Sequence, residues 1–429
     1  MVVLAITVFL IFMLVMRTPV GFALAIAGFL GIWWLGGSDS AFGVLESSFY
    51  SSIAYFEFIT IPLFILMGNF LLISGVADDL FKAMTIWMGR LPGGLAMATA
   101  ISGAGFGAVS GSSTAAAATL ASTSLPAMTE AGYRSSLASG VVAVSGTLAM
   151  LIPPSVGIIF YGIISGTSIS GLLIGAILPA TLVTLSILVT IQVWILIKPD
   201  SAPKGLKYSF TEKLASIRSV YPFVFLFLIV SGSIYMGYAT PVEASALGAL
   251  GALVLVMFAG KFTVRAMSKA VCETVLITGM LALIVMGAQV FGYFVSLSNI
   301  SQALMNFIVA LDITPFMFMV AILCIFLILG CFLDLISILV LTIPVLLPIV
   351  DGMNIDPVWF GVLAIIVIEI GLITPPIGMN AFVVSKYTKT GIYDIFRGCA
   401  PFVAGQLIVV SLLLAFPAIV TVLPEMMRG

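Results

Sequence analysis

Apolar runs of eighteen or more residues recur along the whole chain, and each is long enough to cross roughly 30 Å of hydrocarbon as a helix. Stretches such as 335–350 do not alternate apolar and polar positions, as the ten-residue strands of a membrane β-barrel would. The pattern therefore predicts an all-α polytopic membrane protein. The first run, from Met1, lacks a basic n-region and a small-residue cleavage site, so it reads as a span and not as a removable signal. Arg17 and Pro19 cut the run 2–35 into two short spans. One polar stretch, containing Pro199 and Pro203, is the evident linker.

Basic residues orient these spans, because Lys and Arg concentrate in cytoplasmic loops. Lys198, Lys204, Lys207, Lys213 and Arg218 place the linker inside. From there 221–238 leaves the cytoplasm, 243–259 returns to Lys261, Arg265 and Lys269, and 273–297 crosses out again. Asp312, Asp351 and Asp356 sit in a region free of Lys and Arg, so both of its ends face outside. The apolar stretch between them, interrupted at Gly330, Cys331 and Asp334, reads as a re-entrant hairpin entering from outside. Lys386, Lys389 and Arg397 bring 358–385 back inside, and 401–423 leaves. Arg134, Lys82 and Arg90 are likewise internal, so 95–125 forms a second hairpin, entering from the cytoplasm. About ten crossings and two hairpins result.

A shift of 222 positions lays Leu125 and Pro126 on Leu347 and Pro348, Pro153 and Pro154 on Pro375 and Pro376, and Pro179 on Pro401. Four coincidences among 20 prolines make an internal repeat. The same shift lays Ser112 on Asp334, in the middle of each hairpin. Because one hairpin opens inward and the other outward, the repeats have inverted topology, an arrangement of secondary transporters whose sites lie at broken helices near the midplane. The expected organisation has N-terminal scaffold spans over 1–47. A first repeat over 48–197 holds the cytoplasm-facing hairpin (about 95–125) and a broken helix (136–165). The linker and two scaffold helices fill 198–270, and an inverted repeat over 271–423 holds the periplasm-facing hairpin (about 315–350) and a broken helix (358–385).

Composition narrows the function classes. Hydrophobic residues make up 62% and charged residues 8%, against about 25% charged in a soluble domain. The absence of histidine removes imidazole metal ligands, Ser-His triads and His-based proton relays, which makes most enzyme mechanisms unattractive. A net charge of -1 without a basic stripe gives no reason to expect nucleic acid. Cys272, Cys324, Cys331 and Cys399 form no CxxC pair and read as core packing. Trp33, Trp34, Trp87 and Trp359 fall near span ends and read as interfacial anchors.

Proline lacks an amide donor and its ring strikes the carbonyl four residues earlier. Pro153 and Pro154 would thus free the carbonyls of Ala149 and Met150, and Pro375 and Pro376 those of Gly371 and Leu372. Inside hydrocarbon each needs a partner. A dehydrated Na+ is one; a kink satisfied by Ser, Thr or water is the other. The hairpin tips offer Gly103, Gly105, Gly107 and Gly111 for close backbone approach or plain helix packing, and the hydroxyls of Ser110, Ser112, Ser113 and Thr114. Gly330 and Asp334 occupy the second tip, while Thr374, Gly378 and Asn380 border the second break. Glu57 and Glu369 are the other ionisable groups at membrane depth. Glu369, about two turns before Pro376, either influences the site or carries a proton, or is a structural carboxyl.

The segments Ser110-Gly-Ser-Ser-Thr114, Leu151-Ile-Pro-Pro-Ser155 and Gly371-Leu-Ile-Thr-Pro-Pro-Ile-Gly-Met-Asn380 resemble the large membrane subunit, DctM/SiaM type, of tripartite ATP-independent periplasmic (TRAP) transporters. The resemblance spans essentially the whole chain. It implies a Na+-coupled importer of the bacterial inner membrane with an elevator motion, as in the wider ion-transporter superfamily. Na+ would lie at Ser110 to Thr114 with 151–155, and at Gly330 to Asp334 with 374–380. Substrate would lie between the tips near Ser112, Ser113, Ser155, Asp334, Gly378 and Asn380. The implied partners are a separate four-helix small membrane subunit (DctQ/SiaQ type), a soluble periplasmic binding protein and an organic acid, with N-acetylneuraminate ahead of a C4-dicarboxylate. Three other readings stay open: a stand-alone anion symporter, a non-transporting subunit of a membrane complex, and a channel.

Overall fold

The structure is a computed structural model that describes residues 2–203, 205 and 208–428, apart from the side chains of Ile53, Ala108, Val109, Ser110 and Arg428. Lys204 and Lys207 of the basic cluster lie outside the described residues. All regular elements among the described residues are helical. The chain opens with α1 (Val2–Val15), α2 (Val20–Ala54), α3 (Thr60–Ser74) and α4 (Val76–Met88). Two antiparallel helices follow, α5 (Gly94–Ser110) and α6 (Ser113–Glu130), then α7 (Ser135–Thr147), α8 (Val156–Ser165), α9 (Ile169–Gly175) and α10 (Ile177–Ile197). After the linker come α11 (Phe210–Tyr235), α12 (Pro241–Phe258), α13 (Val264–Leu297) and α14 (Ile300–Ala310). The second hairpin is α15 (Pro315–Gly330) and α16 (Leu335–Gly352), followed by α17 (Pro357–Gly371), α18 (Met379–Ser385), α19 (Ile392–Ala415) and α20 (Ala418–Arg428).

Eight of these stretches are long and apolar enough to cross a membrane, and one of them is α16 of the second hairpin, which leaves seven against the ten or so crossings expected. The broken helices are absent from the eight because their pieces are short: 13 and 10 residues for α7 and α8, 15 and 7 for α17 and α18. At the N-terminus, α1 is short as expected. The second piece runs on as α2 to Ala54, past position 47, with a break at Gly37, whose φ of 83° only glycine adopts without strain.

The 222-residue offset persists in the helix bounds. Ser113–Glu130 falls on Leu335–Gly352 residue for residue, and Ser135, which opens α7, falls on Pro357, which opens α17. The two units cross over in space. Gly140 of α7 meets Gly398 of α19, and Gly175 of α9 meets Val358 of α17. Small residues let helices approach this closely. Beside them, α2 packs along α13, with Gly21, Gly28 and Gly31 against Leu283, Phe291 and Phe294. Asn69 of α3 donates to Ala270 and Thr274 of α13, and Ser51 and Ser52 donate to Gln289 at 2.9 and 3.0 Å.

Trp359 is not an interfacial anchor: it is 9% exposed and its indole donates to the Leu413 carbonyl at 3.0 Å. Trp33, Trp34 and Trp87 are exposed. Cys331 and Cys399 are buried, but Cys272 and Cys324 are exposed and so are not core residues.

Candidate functional site

Each hairpin turns in a few residues, and the outgoing helix of each is capped by the residue at its tip. Ser112 accepts the Ala115 amide at 3.4 Å, and Asp334 accepts the Ser337 amide at 3.2 Å and the Ser337 hydroxyl at 2.5 Å. These are the residues that the repeat superimposes. A side-chain oxygen at this position satisfies an otherwise orphaned helical N–H. The first turn passes through Gly111, φ 58°, whose Cα faces Val156. Ser112 also shares a hydrogen bond with Thr114 at 3.2 Å, and Ser113 is buried. The Ser110 side chain lies outside the described residues.

Helices α7 and α17 both end where the proline pairs follow, and in each pair the Pro-Pro bond is cis. The freed carbonyls mostly find protein donors. Met150 O accepts the Ser155 hydroxyl at 2.5 Å, Gly371 O the Thr374 amide at 2.9 Å, and Leu372 O the Asn380 amide at 3.0 Å. For these three the kink is satisfied from within, which leaves each carbonyl its second lone pair. Ser155 caps α8 through Ile158 N at 3.4 Å, and the Thr374 hydroxyl turns back to Ile370 O at 2.7 Å.

Each tip lies against the break in its own repeat. Gly107 approaches the Ala149 backbone, and Gly330 approaches Gly371 so closely that a Cβ on Gly371 would stand 2.6 Å from Gly330 Cα. Gly378, φ 57°, donates to Cys331 O at 3.2 Å. Gly103 and Gly105 pack within their helix against Ser145 and Leu80, so among the four glycines only Gly111 serves the turn. Gly371→Ala is expected to lower stability by about 1–3 kcal/mol, because backbone atoms cannot rotate away from an added methyl. A thermal unfolding midpoint read beside Gly232→Ala, where nothing lies within 4 Å, checks this: the first falls and the second does not.

The tips also meet the opposite repeat. Leu335, first residue of α16, touches Gly157 of α8. Ser113 of the first tip faces Glu369 of α17, with Asp334 near enough to act on that carboxyl through space. Glu369 is 3% exposed; the Ser113 hydroxyl is the donor that approaches it, but no hydrogen bond to either carboxyl oxygen closes to 3.5 Å among the described residues. The Asn380 side chain, fully buried, is equally unpartnered at both its oxygen and its nitrogen. Glu57 lies apart, half-buried in the 3₁₀ turn Phe56–Ile59 between α2 and α3.

The two breaks differ in their surroundings. Pro153 and Pro154 are buried, and Pro154 lines one small cavity with Met67 and Leu71 of α3 and Phe223 and Leu226 of α11. Pro375, Pro376 and Ile377 are exposed. A second feature that the sequence did not single out is Tyr161, buried in α8, whose hydroxyl donates to Pro357 O at 2.8 Å and ties the first repeat to the start of α17. The only signal for it was a polar atom in an apolar span.

Eight membrane-length apolar stretches, with oxygen donors and two carboxyl groups gathered at two helix breaks and two hairpin tips, define a polytopic helical membrane protein. Residues 7–419 match the family described as the tripartite ATP-independent periplasmic transporter, DctM component. The chain belongs to that family. It is 32% identical over 386 residues to the C4-dicarboxylate TRAP transporter large permease protein DctM of Pseudomonas aeruginosa, covering 89% of each chain. It is 30% identical over 412 residues to the sialic acid TRAP transporter large permease protein SiaM of Vibrio cholerae, covering 96% of each. It is also 31% identical over 419 residues to the ectoine TRAP transporter large permease protein TeaC of Halomonas elongata, covering 96% of this chain and 97% of that one. Among solved structures, the Alcanivorax borkumensis YdaH transporter shares the fold with a TM-score of 0.65 at 15% identity, over 88% of each chain. Neisseria gonorrhoeae MtrF does so with a TM-score of 0.60 at 14% identity, over 96% of this chain and 94% of that one.

Proposed function

We propose that this chain is the solute-carrying subunit of a tripartite importer of the bacterial inner membrane, driven by Na+ and supplied with an organic acid by a periplasmic binding protein. A small membrane subunit completes the complex. The observation that carries this reading is the convergence of two capped hairpin tips on two broken helices around Glu369 and Asn380, whose buried side chains have no hydrogen-bond partner within 3.5 Å among the described residues. Buried polar groups are ordinarily satisfied, and a ligand between the tips would satisfy these. Na+ is held on the Ser112 side by hydroxyl and carbonyl oxygens and on the Asp334 side by the carboxylate. The solute carboxylate lies between the tips, among N–H groups at partial positive helix ends.

The unequal burial of the two breaks supports an elevator-type alternation. Here α3 and α11 cover the first break while the second is open; inversion of the repeats predicts a second state with the roles exchanged. Uptake into proteoliposomes holding the chain, its small subunit and its binding protein tests the reading, with N-acetylneuraminate, succinate and ectoine offered separately. Uptake of one solute that needs all three proteins and an inward Na+ gradient is expected. Uptake without the binding protein would replace the tripartite reading by a stand-alone symporter.

A further inference from the structure

Arg134 before α7, Lys198 after α10 and Arg397 in the second turn of α19 are far apart in sequence, yet they line one cavity of about 620 Å³. Among the described residues the only ion pair is Lys269 with Glu273. None of the three cations therefore has a carboxylate within 4 Å, even though Asp394 shares the cavity wall. Lys198 Nζ instead stands 5.7 Å from the centroid of the Trp194 ring.

Trp194, Lys198, Arg397 and Pro401 also border a second space, a groove of about 690 Å³ between α10 and α19. The groove is apolar and open. Leu185, Val189 and Val193 on one side and Ile408 on the other are exposed, and Ala404 and Gly405 form a shallow floor. From Leu182 to Lys198 it follows α10 for about 24 Å at 1.5 Å per residue, longer than the roughly 15 Å half-thickness of a hydrocarbon core.

A groove of acyl-chain length that ends at three unneutralised cations matches an amphiphile with an anionic head. We propose that this is a binding site for an anionic phospholipid of the cytoplasmic leaflet, its phosphate among Arg134, Lys198 and Arg397 and an acyl chain along α10 and α19. The positive-inside rule places this end in the cytoplasm, where basic pockets between membrane helices hold anionic headgroups. A zwitterionic lipid brings its own cation to the cluster and is disfavoured. An apolar protein helix would cover the groove and leave the cluster unpaired. Because Arg134 leads into α7 and α19 packs on α7, the bound lipid fastens the ends of helices that lead to the site.

Native mass spectrometry of the delipidated full chain, titrated with phosphatidylglycerol or phosphatidylcholine of the same acyl composition, tests this. The first phosphatidylglycerol is expected to bind at least tenfold more tightly than phosphatidylcholine. Replacing Arg134, Lys198 and Arg397 together by Gln is expected to weaken it about a hundredfold, since each basic residue near a membrane surface contributes roughly fivefold. Ala404→Phe, which fills the groove, weakens both lipids. The same triple replacement at Arg218, Arg265 and Lys269 changes neither. Lys198→Arg with Arg397→Lys keeps the charge and the preference, which separates charge loss from misfolding. Equal binding of the two lipids, an unaffected Gln triple, or displacement of phosphatidylglycerol by the small subunit overturns the proposal.

Discussion

Asp334→Ser is expected to leave the protein as stable as before and to weaken Na+-driven uptake more than tenfold, whereas Asp334→Ala weakens uptake as much and also lowers stability by about 1 kcal/mol. The two variants separate two roles of one carboxylate. As an N-cap, Asp334 holds the first turn of α16 through Ser337, and Ser and Asp are near equals at that position while Ala costs about 1 kcal/mol. The first repeat already uses a serine there, Ser112. As the charged member of the proposed Na+ site, Asp334 has no neutral equivalent. A unit charge about 4 Å from a cation is worth about 4 kcal/mol at an effective dielectric of 20, and half of that already exceeds tenfold in affinity. Measuring the Na+ concentration for half-maximal uptake beside the unfolding midpoint reads the two effects separately. Normal Na+ dependence in Asp334→Ser would confine the residue to capping.

The second large effect is expected at Glu369. Glu369→Met keeps most of the side-chain volume and removes a buried carboxyl that no hydrogen bond within 3.5 Å satisfies among the described residues. Leaving a buried polar group unsatisfied costs about 1–3 kcal/mol, so the variant gains about that much stability. Uptake should fall at least tenfold, because the group faces Ser113 of one tip and lies within electrostatic reach of Asp334 in the other. A gain in stability with a loss of activity is the mark of a residue kept for function. Loss of stability with unchanged uptake would make Glu369 a structural carboxyl.

Much of this arrangement was legible because proline is conspicuous. Pro153, Pro154, Pro375 and Pro376 reveal the repeat and both breaks, and Ser112 falling on Asp334 locates the two caps. What proline removes is legible; what replaces it is not. The donors that reach Met150, Gly371 and Leu372 come from Ser155, Thr374 and Asn380, each placed by the local backbone path. Helix starts are less legible, since apolar runs show only the part of a helix that meets hydrocarbon. α19 begins at Ile392, nine residues before the expected crossing at Pro401, because its first turns carry Asp394 and Arg397. The burial of Trp359 is hidden in the sequence for a related reason: a tryptophan near a span end can face lipid or the core, and its register against α19 is a tertiary fact.

The reading of the site rests on one break being covered while its counterpart is open, and transport should exchange them. Single cysteines at Leu226, now buried beside Pro154, and at Ile377, now exposed, report this in a background where Cys272, Cys324, Cys331 and Cys399 are replaced. Maleimide labelling of the complex in vesicles, with and without Na+ and a transported solute, is the decisive measurement. Opposite changes are expected, one site gaining reactivity under the conditions in which the other loses it. Parallel changes, or none at either site while solute accumulates, would contradict an alternation of the two breaks.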